Sequence, residues 1–567
     1  MSERTSRLLL FMALFGVAAY FLWGRKSSRP EGEGSSIVVA PEENRAPEAR
    51  FRVETPSARE GGAGLALELS SRSGGVRSLR LNGAQFRMPA TNPGNRDDRR
   101  LDIATTEREE LLPLRVDLRL ARGGQSVAPA FLDFRGERVN DREARLTWTG
   151  EGVEVERTVR AVRPFTLDVV TVVRNTAEGD LTVDHRLPLY HYVTRDQESG
   201  GFMRQGWEIA EGLCGHGDDL YREARDELVG RNPQDALAGR ARFLGLGNLY
   251  FLSAVVPVGA DTRCRVFAED RPNSEDAVGS VFGGSLSWPR ATVHAGASQR
   301  FEALAYFGPK DRRFLSAAAP GGVLTDSINL GFFAMIARFL VRYLQFLFGL
   351  VHNWGLAIIL LTITVRLGLY PLLAPQMKSM AAMQRLKPEL DEINKRFADN
   401  PEAKGAATMD LYRRNNVNPL LGCLPLFAQL PVFWALYTTL QTSVEFFHAP
   451  FALWWQDLSA PDPYYVLPLL QGVTMFLQQK LMPPQGMDPV QAKMMMYFMP
   501  LFLTGISLFL PAGLALYMTV SAVLGILQQR VYMVQMQKLV AAGAGTGGGE
   551  AIVVKPLPST STSAARK

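Results

Sequence analysis

Five apolar segments in the C-terminal third of the chain constrain its fold more than any other feature. They lie at about 354–374, 419–441, 464–482, 495–510 and 512–530. A helix that spans the hydrocarbon of a bilayer needs about 20 apolar residues, with about 17 as the lower limit. Only the 495–510 segment falls below that limit, which implies local thinning of the bilayer around it. The sequence therefore predicts a polytopic α-helical membrane protein.

A further apolar run, Leu8 to Trp23, lies near the start of the chain and is flanked by basic residues on both sides. It could be a cleaved signal peptide or an uncleaved signal anchor. Because no small-x-small cleavage site precedes the second basic cluster, we predict an N-terminal transmembrane anchor over residues 1–26. Residues 27–50 are rich in Ser, Pro, Glu and Gly, which is typical of a flexible linker.

Residues 51–325 have a different texture, with short alternating runs separated by Gly, Asn and Asp. Examples are Phe165 to Val173, Leu249 to Val258 and Phe301 to Phe307. Such runs predict a large β-sandwich domain. The polar segment from Asp218 to Arg240 is expected to be a helix or loop insertion.

Charge and cysteine content exclude several classes of function. The net charge is +6, but acidic residues are almost as numerous as basic ones, so the clustered basic footprint of a nucleic-acid-binding protein is missing. Cys423 lies in an apolar run, and Cys214 and Cys264 have neither metal-ligand spacing nor a catalytic signature. We predict no metal and no cofactor. A disulfide between Cys214 and Cys264 is possible outside the cytoplasm, although sequence does not show whether the two residues are close.

The segment 329–350 is apolar but carries Arg338, Arg342 and Gln345 on one helical face. A spanning helix would place two arginines in hydrocarbon. We therefore predict an amphipathic helix that lies in the membrane interface, with a tilted transmembrane helix as the alternative.

The loops between the apolar segments set the orientation of the chain. The segment Thr442 to Pro463 contains no Lys or Arg, whereas the loop between the first two of the five segments is basic: Lys378, Arg385, Lys387, Lys395, Arg396, Lys404, Arg413 and Arg414. Cytoplasmic loops carry the excess of Lys and Arg. We therefore predict that both termini are cytoplasmic and that residues 27–350 are periplasmic.

Arg366 is the most informative single residue, because it lies in the middle of the apolar segment 354–374. An arginine at the centre of a membrane helix costs about 2.5 to 3.5 kcal/mol and normally faces a partner or a water-filled cavity. The other four C-terminal segments contain no Asp or Glu. They offer neutral polar groups instead, among them Gln429, Gln471, Gln478, Tyr517 and Ser521.

The prediction for Arg366 is an unpaired cation in a hydrated intramembrane groove. It would attract acidic residues of a hydrophilic segment that must cross the bilayer. The alternative is that Arg366 snorkels to the cytoplasmic interface, because Pro371 and Gln376 suggest that its helix ends nearby.

Residues 375–418 are predicted to form a charged cytoplasmic helical hairpin. Apolar residues recur at steps of three and four, as in an amphipathic helix: Met380, Met383, Leu386, Leu390, Ile393 and Phe397. The hairpin could be a soluble element packed only on itself. It could also be a mobile surface that captures apolar substrate segments through Met380, Met383, Leu386 and Leu390.

Several ordered motifs in the region from about 350 to 535 resemble the core of the YidC/Oxa/Alb insertase family. They are Asn353-Trp354-Gly355, Thr364-Val365-Arg366, Tyr370-Pro371-Leu372, Asn418-Pro419-Leu420 and Pro450-Phe451-Ala452-Leu453-Trp454. The leading anchor and the large β domain resemble the Gram-negative bacterial branch.

The resemblance implies a five-helix insertase core with an N-terminal anchor helix and an extracytoplasmic β-super-sandwich domain. Its groove would contain Arg366, Thr362, Gln429 and Tyr517, to which we add Gln471 and Ser521. The implied function is insertion and chaperoning of inner-membrane proteins, without enzymatic activity, with nascent membrane proteins, the Sec translocon and ribosomes as partners. The segment 541–567 is rich in Gly, Ala and Ser, so we predict a disordered cytoplasmic tail that is not strongly basic and binds ribosomes weakly.

Two other classes of protein fit parts of the sequence. A small-solute transporter or channel would also place polar residues in a helical bundle, but it would favour matched inverted repeats and a membrane acid. An anchored carbohydrate enzyme would need paired carboxylates in a cleft. Neither the repeats nor a distinctive pair of carboxylates is evident.

Overall fold

The computed structural model of the protein describes residues 45–58, 62–86, 101–194, 211–224, 228, 239–259, 261–270, 279–397, 400–415, 424–481 and 494–545. The predicted anchor, most of the linker and residues 546–567 lie outside this set. The chain divides into two compact units. The first unit comprises residues 1–361, 430–468 and 504–516, and the second comprises 362–429, 469–503 and 517–567.

The strands of the structure all precede residue 310 and belong to the first unit. They are β1 Arg50–Glu54, β2 Gly64–Ser70, β3 Val76–Asn82, β4 Asp117–Arg122, β5 Gln125–Ser126, β6 Arg135–Asn140, β7 Glu143–Gly150, β8 Val153–Arg163, β9 Thr166–Asn175, β10 Leu181–Thr194, β11 Glu211–His216, β12 Asp219–Ala224, β13 Ala241–Gly247, β14 Phe251–Pro257, β15 Arg263–Asp270, β16 Gly279–Ser287, β17 Ala291–Val293 and β18 Ser298–Pro309.

Antiparallel pairing organises these strands into three sheets. The largest has the order β12-β11-β13-β14-β18-β9-β8-β7-β6, the second has β15-β16-β10-β4-β5 with β17 beside β10, and the third is β1-β2-β3. Strand β8 shows why the sequence folds this way, because Val153, Val155 and Val159 are buried on one face while Glu154, Glu156 and Arg160 on the other face are not. The three quoted β runs are confirmed as β9, β14 and β18.

The two larger sheets pack face to face and enclose the hydrophobic core. Gly284 in β16 leaves room for the side chain of Leu244 in β13, since a Cβ at Gly284 would lie 2.6 Å from a methyl carbon of that leucine. Cys214 in β11 and Cys264 in β15 form a disulfide between these sheets, with a Cα–Cα distance of 6.1 Å. That distance lies within the usual range for a disulfide.

The polar segment that begins at Asp218 differs from the sequence expectation. Asp219–Ala224 is neither helix nor loop but the edge strand β12, paired with β11. Its side chains are exposed or half-buried, so an edge position leaves little apolar pattern for sequence analysis to detect.

The helices follow the β domain in the chain. They are α1 Arg312–Ala318, α2 Ala334–Val351, α3 Trp354–Arg385, α4 Lys387–Arg396, α5 Pro401–Arg414, α6 Leu424–Thr442, α7 Val466–Leu481, α8 Met499–Ser507 and α9 Ala512–Gly545. Short 3₁₀ turns lie at Ala84–Phe86, Glu109–Leu111, Pro320–Ser327 and Val444–Phe446, and a π-helical turn, Met494–Phe498, precedes α8.

Two helices extend beyond the segments predicted from hydropathy. Helix α3 continues past 374 to Arg385, through Pro371, because the methionines and alanines that follow are good helix formers. Helix α9 continues past 530 to Gly545, five residues into the segment predicted to be disordered.

Within the described residues, length and apolar composition qualify two stretches to cross a membrane. These are Ala334–Val351 and Ala512–Val531, while Trp354–Tyr370 and Met496–Ser507 are apolar but shorter. Helix α2 qualifies although we predicted an interfacial position for it, because two arginines in an 18-residue window do not outweigh its apolar residues. The choice between an interfacial and a spanning α2 remains a prediction.

The first unit also contains a contact between the β domain and the loop after α6. Val444 and Phe447 belong to the hydrophobic core of the β domain. The ring of Phe447 lies 5.3 Å from the rings of Tyr250 and Phe251. Contacts between these aromatic rings hold the loop against the β domain.

Candidate functional site

Arg366 lies on α3, half-buried, in the second unit. Its Nε and Nη2 both donate hydrogen bonds to the hydroxyl oxygen of Ser521, at 3.0 and 2.7 Å. Within the described part of the chain, Arg366 forms no ion pair with a carboxylate. The guanidinium is therefore oriented by a neutral group that does not cancel its charge.

Helix α9 supplies most of the surroundings of Arg366 through one face. Tyr517, Ser521 and Gly525 follow each other at intervals of four residues, and Gln528 comes one turn later, so all four share this face. Tyr517 is buried and close enough to Arg366 to interact with it electrostatically. The side-chain amide of Gln528 donates a hydrogen bond to the backbone carbonyl of Arg366 at 3.4 Å.

Gly525 on α9 also lies beside the guanidinium. It is buried, and a Cβ built on it would lie 3.6 Å from both Nη1 and Nη2 of Arg366. The same Cβ would lie 2.9 Å from the side-chain nitrogen of Gln478 on α7. The Cβ position of Gly525 therefore lies close to three nitrogens that carry hydrogen-bond donors.

The other predicted groove residues occupy different positions. Thr362 is buried on α3, one turn before Arg366. Gln471 is buried on α7, and its side-chain oxygen accepts no hydrogen bond from the described residues. Because Gln471 and Gln478 are seven residues apart, both lie on the same face of α7. The side chain of Gln429 lies outside the described residues.

The helical hairpin contains a small hydrophobic core of its own. Asn400 caps α5 by accepting a hydrogen bond from the backbone nitrogen of Ala403 at 3.0 Å. Five residues form the core: Leu386, Leu390, Ile393, Leu411 and Tyr412. For Leu386 and Leu390 this burial favours the interpretation of a hairpin packed on itself. The side chains of Met380 and Met383 lie outside the described residues.

Sequence analysis missed two members of the site, Gly525 and Gln528, and did not single out Gln478. A signal for Gly525 was present, because glycine is unfavourable inside a helix and this one follows Ser521 by four residues. Finding it required knowledge of which α9 face meets α3, which hydropathy alone does not provide.

Two known families match most of the chain, each over a different part. Residues 65–343 match the family described as YidC periplasmic domain, and residues 346–539 match the family described as 60Kd inner membrane protein. The boundary between the two matches falls within helix α2.

Individual proteins are similar over most of their length. The membrane protein insertase YidC of Anaeromyxobacter sp. (strain K) is 34% identical over 494 residues, which are 85% of this chain and 86% of that protein. The one from Anaeromyxobacter sp. (strain Fw109-5) is 36% identical over 495 residues, 84% of each chain. A crystal structure of an active YidC insertase with its first transmembrane domain resolved covers 92% of this chain and 98% of its own, at 19% identity and a TM-score of 0.36.

Proposed function

The chain belongs to the YidC family of membrane protein insertases, and from this premise we propose that Arg366 offers its positive charge to acidic segments of the proteins being inserted. As a member of this family it is an inner-membrane insertase that acts on membrane proteins in the lipid bilayer, and not an enzyme. Membership of this family argues against the two alternatives, a small-solute transporter or channel and an anchored carbohydrate enzyme.

The main support for this proposal is that the guanidinium of Arg366 has neutral surroundings. Ser521 orients Arg366 through two hydrogen bonds and leaves the positive charge available. A carboxylate in a segment that crosses hydrocarbon is costly for the same reason as the arginine. Pairing the two lowers the transfer cost of the segment while its apolar part moves into lipid.

The wider groove follows from the positions around Arg366. In this proposal five polar residues line the groove and hold water beside the charge: Thr362, Gln429, Gln471, Tyr517 and Ser521. The burial of four of these residues supports the proposed groove: Thr362, Gln471, Tyr517 and Ser521. Polar side chains inside a helical bundle favour hydration and hydrogen bonding with a polar client segment.

The proposed core has five spanning helices, α3, α6, α7, the π-helical turn with α8, and α9. Helix α2 would lie in the periplasmic interface. Its exposed face carries Met335, Phe339, Phe346 and Leu350, with Arg338 and Arg342 along one margin of that face. Apolar side chains could enter the lipid there while the two arginines reach the headgroups.

The proposed topology places both termini and the hairpin α4–α5 in the cytoplasm and residues 27–350 in the periplasm. The contrast between the basic loop before α6 and the loop after it, which has no Lys or Arg, supports this orientation. The Sec translocon and the ribosome are proposed partners. Met380 and Met383 of the hairpin are proposed to capture apolar substrate segments. Leu386 and Leu390 would contribute only when the hydrophobic core of the hairpin opens.

The experiment is insertion of a single-span client into proteoliposomes that contain the purified full chain. The client carries either one Asp or one Asn in its translocated tail, and protease protection of the tail measures insertion. Arg366→Ala should slow the Asp client about tenfold to a hundredfold, because a hydrogen bond to a charged group contributes about 1.5 to 3 kcal/mol. The Asn client should change much less.

The control is Arg530→Ala, which removes an exposed arginine from α9. This variant should insert both clients at the normal rate. Equal rates for the Asp client with Arg366→Ala and with the unmodified insertase would overturn the proposed role of Arg366. Crosslinking of a stalled client from Tyr517 and Gln429 would test the extent of the groove.

A further inference from the structure

We propose that Gly525 and Gln478 form, with the terminal nitrogens of Arg366, a docking point for one carboxylate of the client protein. This inference rests on the proposed role of Arg366 and adds the residues that decide how a client acid reaches it. Its occupant is an Asp or Glu side chain of the segment that crosses the bilayer.

The donors of Arg366 divide into two groups. Nε and Nη2 donate to Ser521, which holds the plane of the guanidinium on one side. Nη1 forms no hydrogen bond with any described residue and lies on the side of Gly525. Ser521 therefore fixes the orientation of the group without occupying all its donors.

Nη1, Nη2 and the side-chain nitrogen of Gln478 all lie near one position. A point one bond length outward from the Cα of Gly525 lies 3.6 Å from Nη1, 3.6 Å from Nη2 and 2.9 Å from the side-chain nitrogen of Gln478. A carboxylate oxygen just beyond that point could accept from the guanidinium and from the Gln478 amide together. Hydrogen bonds that involve ionised groups are the strong ones, and two donor groups of different helices give them direction.

Glycine at position 525 is unusual for its place in the chain. It lies well inside the 34-residue helix α9, where glycine is less favourable than alanine. The residues around it, Val523, Leu524, Ile526 and Leu527, are all large and apolar. Small residues also let membrane helices pack closely, so close packing of α9 is the competing explanation.

The two explanations predict different results for clients that differ by one charge. Gly525→Ala places a methyl group in the docking volume and pushes the Gln478 amide aside. If the volume receives a carboxylate, the Asp client described above should insert about tenfold more slowly, while the Asn client keeps its rate. If glycine serves packing alone, both clients should slow by the same factor.

Gln478 provides a second variant that does not alter packing. Gln478→Glu keeps the shape of the side chain and places a resident carboxylate beside Arg366. That carboxylate should compete with the client and reduce insertion of the Asp client at least as strongly as Gly525→Ala does. Gly505→Ala is the matched control, because Gly505 lies in helix α8 and a Cβ there would meet nothing within 4 Å.

The outcomes separate this inference from the proposed function. Selective slowing of the Asp client by both Gly525→Ala and Gln478→Glu, with Gly505→Ala unaffected, supports the docking point. A strong effect of Arg366→Ala combined with unchanged or equally slowed clients in Gly525→Ala would overturn the docking point and leave the role of Arg366 intact. No effect of Arg366→Ala would overturn both.

Discussion

Arg157 in the β domain and Arg366 in the helical region form no ion pair with any described carboxylate, but their surroundings differ. Arg157 is 1% exposed and donates to the hydroxyl of Thr171 at 2.7 Å and to the carbonyl of Leu114 at 2.8 Å. Burial lowers the pKa of Arg157 to about 9. Arg366 is only half-buried, and its terminal nitrogens face the space beside Gly525.

This difference separates a structural charge from the charge to which we assign a role in client binding. Arg157 is enclosed by the two sheets, so its hydrogen bonds contribute to a fixed core. Elsewhere in the β domain buried charges are neutralised, as Glu211 is by Lys310 and Arg222, each at 2.5 Å. Arg366 has an orienting partner and a terminal nitrogen, Nη1, that donates to no described residue. We therefore expect changes in the β domain to alter stability and changes around Arg366 to alter the choice of client.

The largest expected effect in the β domain comes from removal of the disulfide. Replacing Cys214 and Cys264 by Ala should lower the free energy of unfolding of the domain by about 4 kcal/mol, because the bridge closes a loop of about 50 residues. Amide hydrogen exchange of β11 and β15 in the full chain would measure this loss, with Cys423→Ala as control. If the Cys-to-Ala variant changed the ratio of Asp to Asn client insertion, the β domain would also affect client choice, and the distinction between the two regions would be wrong.

Arg157→Ala should have the next largest effect. It removes a buried side chain and leaves the Thr171 hydroxyl and the Leu114 carbonyl without a donor, which together should cost about 3 kcal/mol of unfolding free energy. Exchange of β8 and β9 is the measurement. Arg157→Met, which keeps most of the volume, should recover part of the loss. Normal protection of both strands in Arg157→Ala would show that the charge is not integral to the core.

Acidification should weaken the β domain through His185. This residue is 1% exposed, stacks on Trp288 with ring centroids 4.9 Å apart, and has its pKa lowered by burial to about 3. In the unfolded chain His185 is protonated below about pH 6.5, whereas in the folded domain it stays neutral down to about pH 3. The free energy of unfolding therefore falls by about 1.4 kcal/mol for each pH unit of acidification between these two values. Exchange protection of β10 at pH 6.5 and pH 5 would measure this.

His185→Phe is the matched variant for that experiment. It keeps an aromatic ring beside Trp288 but removes the titrating group, so the contribution of His185 to the pH dependence should disappear. An identical pH dependence in His185→Phe and in the unmodified chain would assign it to other groups.

The smallest predicted effect concerns Arg366→Lys. Lysine keeps the positive charge but lacks the planar fork that donates to Ser521 and to the docking volume. Insertion of the Asp client should fall about threefold, which is less than 1 kcal/mol. A loss as large as that of Arg366→Ala would show that fork geometry matters more than charge.

Sequence analysis identified Arg366 because a charge in an apolar segment stands out in any hydropathy profile. It also predicted strands β9, β14 and β18, which are rich in apolar residues that the sheets bury. It placed Ser521 with Arg366 in the predicted groove but did not predict the hydrogen bonds between them, since the two residues lie 155 positions apart in the chain. Contacts between distant helices depend on which faces meet, and local periodicity carries no information on that.

The same limit explains the other differences. Edge strand β12 has too few buried residues to show a strand pattern, and the pairing of Cys214 with Cys264 depends on how two sheets stack. Helix α3 runs through Pro371, although proline usually marks a helix end. Prolines in membrane helices are tolerated when neighbouring groups satisfy the freed backbone, which the sequence does not show.

Reversal of the charge at position 366 tests the central claim most directly. Arg366→Glu and the unmodified chain would be compared in proteoliposomes without a membrane potential, with clients whose translocated tails carry either one Asp or one Lys. We expect the unmodified insertase to prefer the Asp client and Arg366→Glu to prefer the Lys client. An unchanged preference in Arg366→Glu would contradict the claim that an accessible charge at this position selects the client.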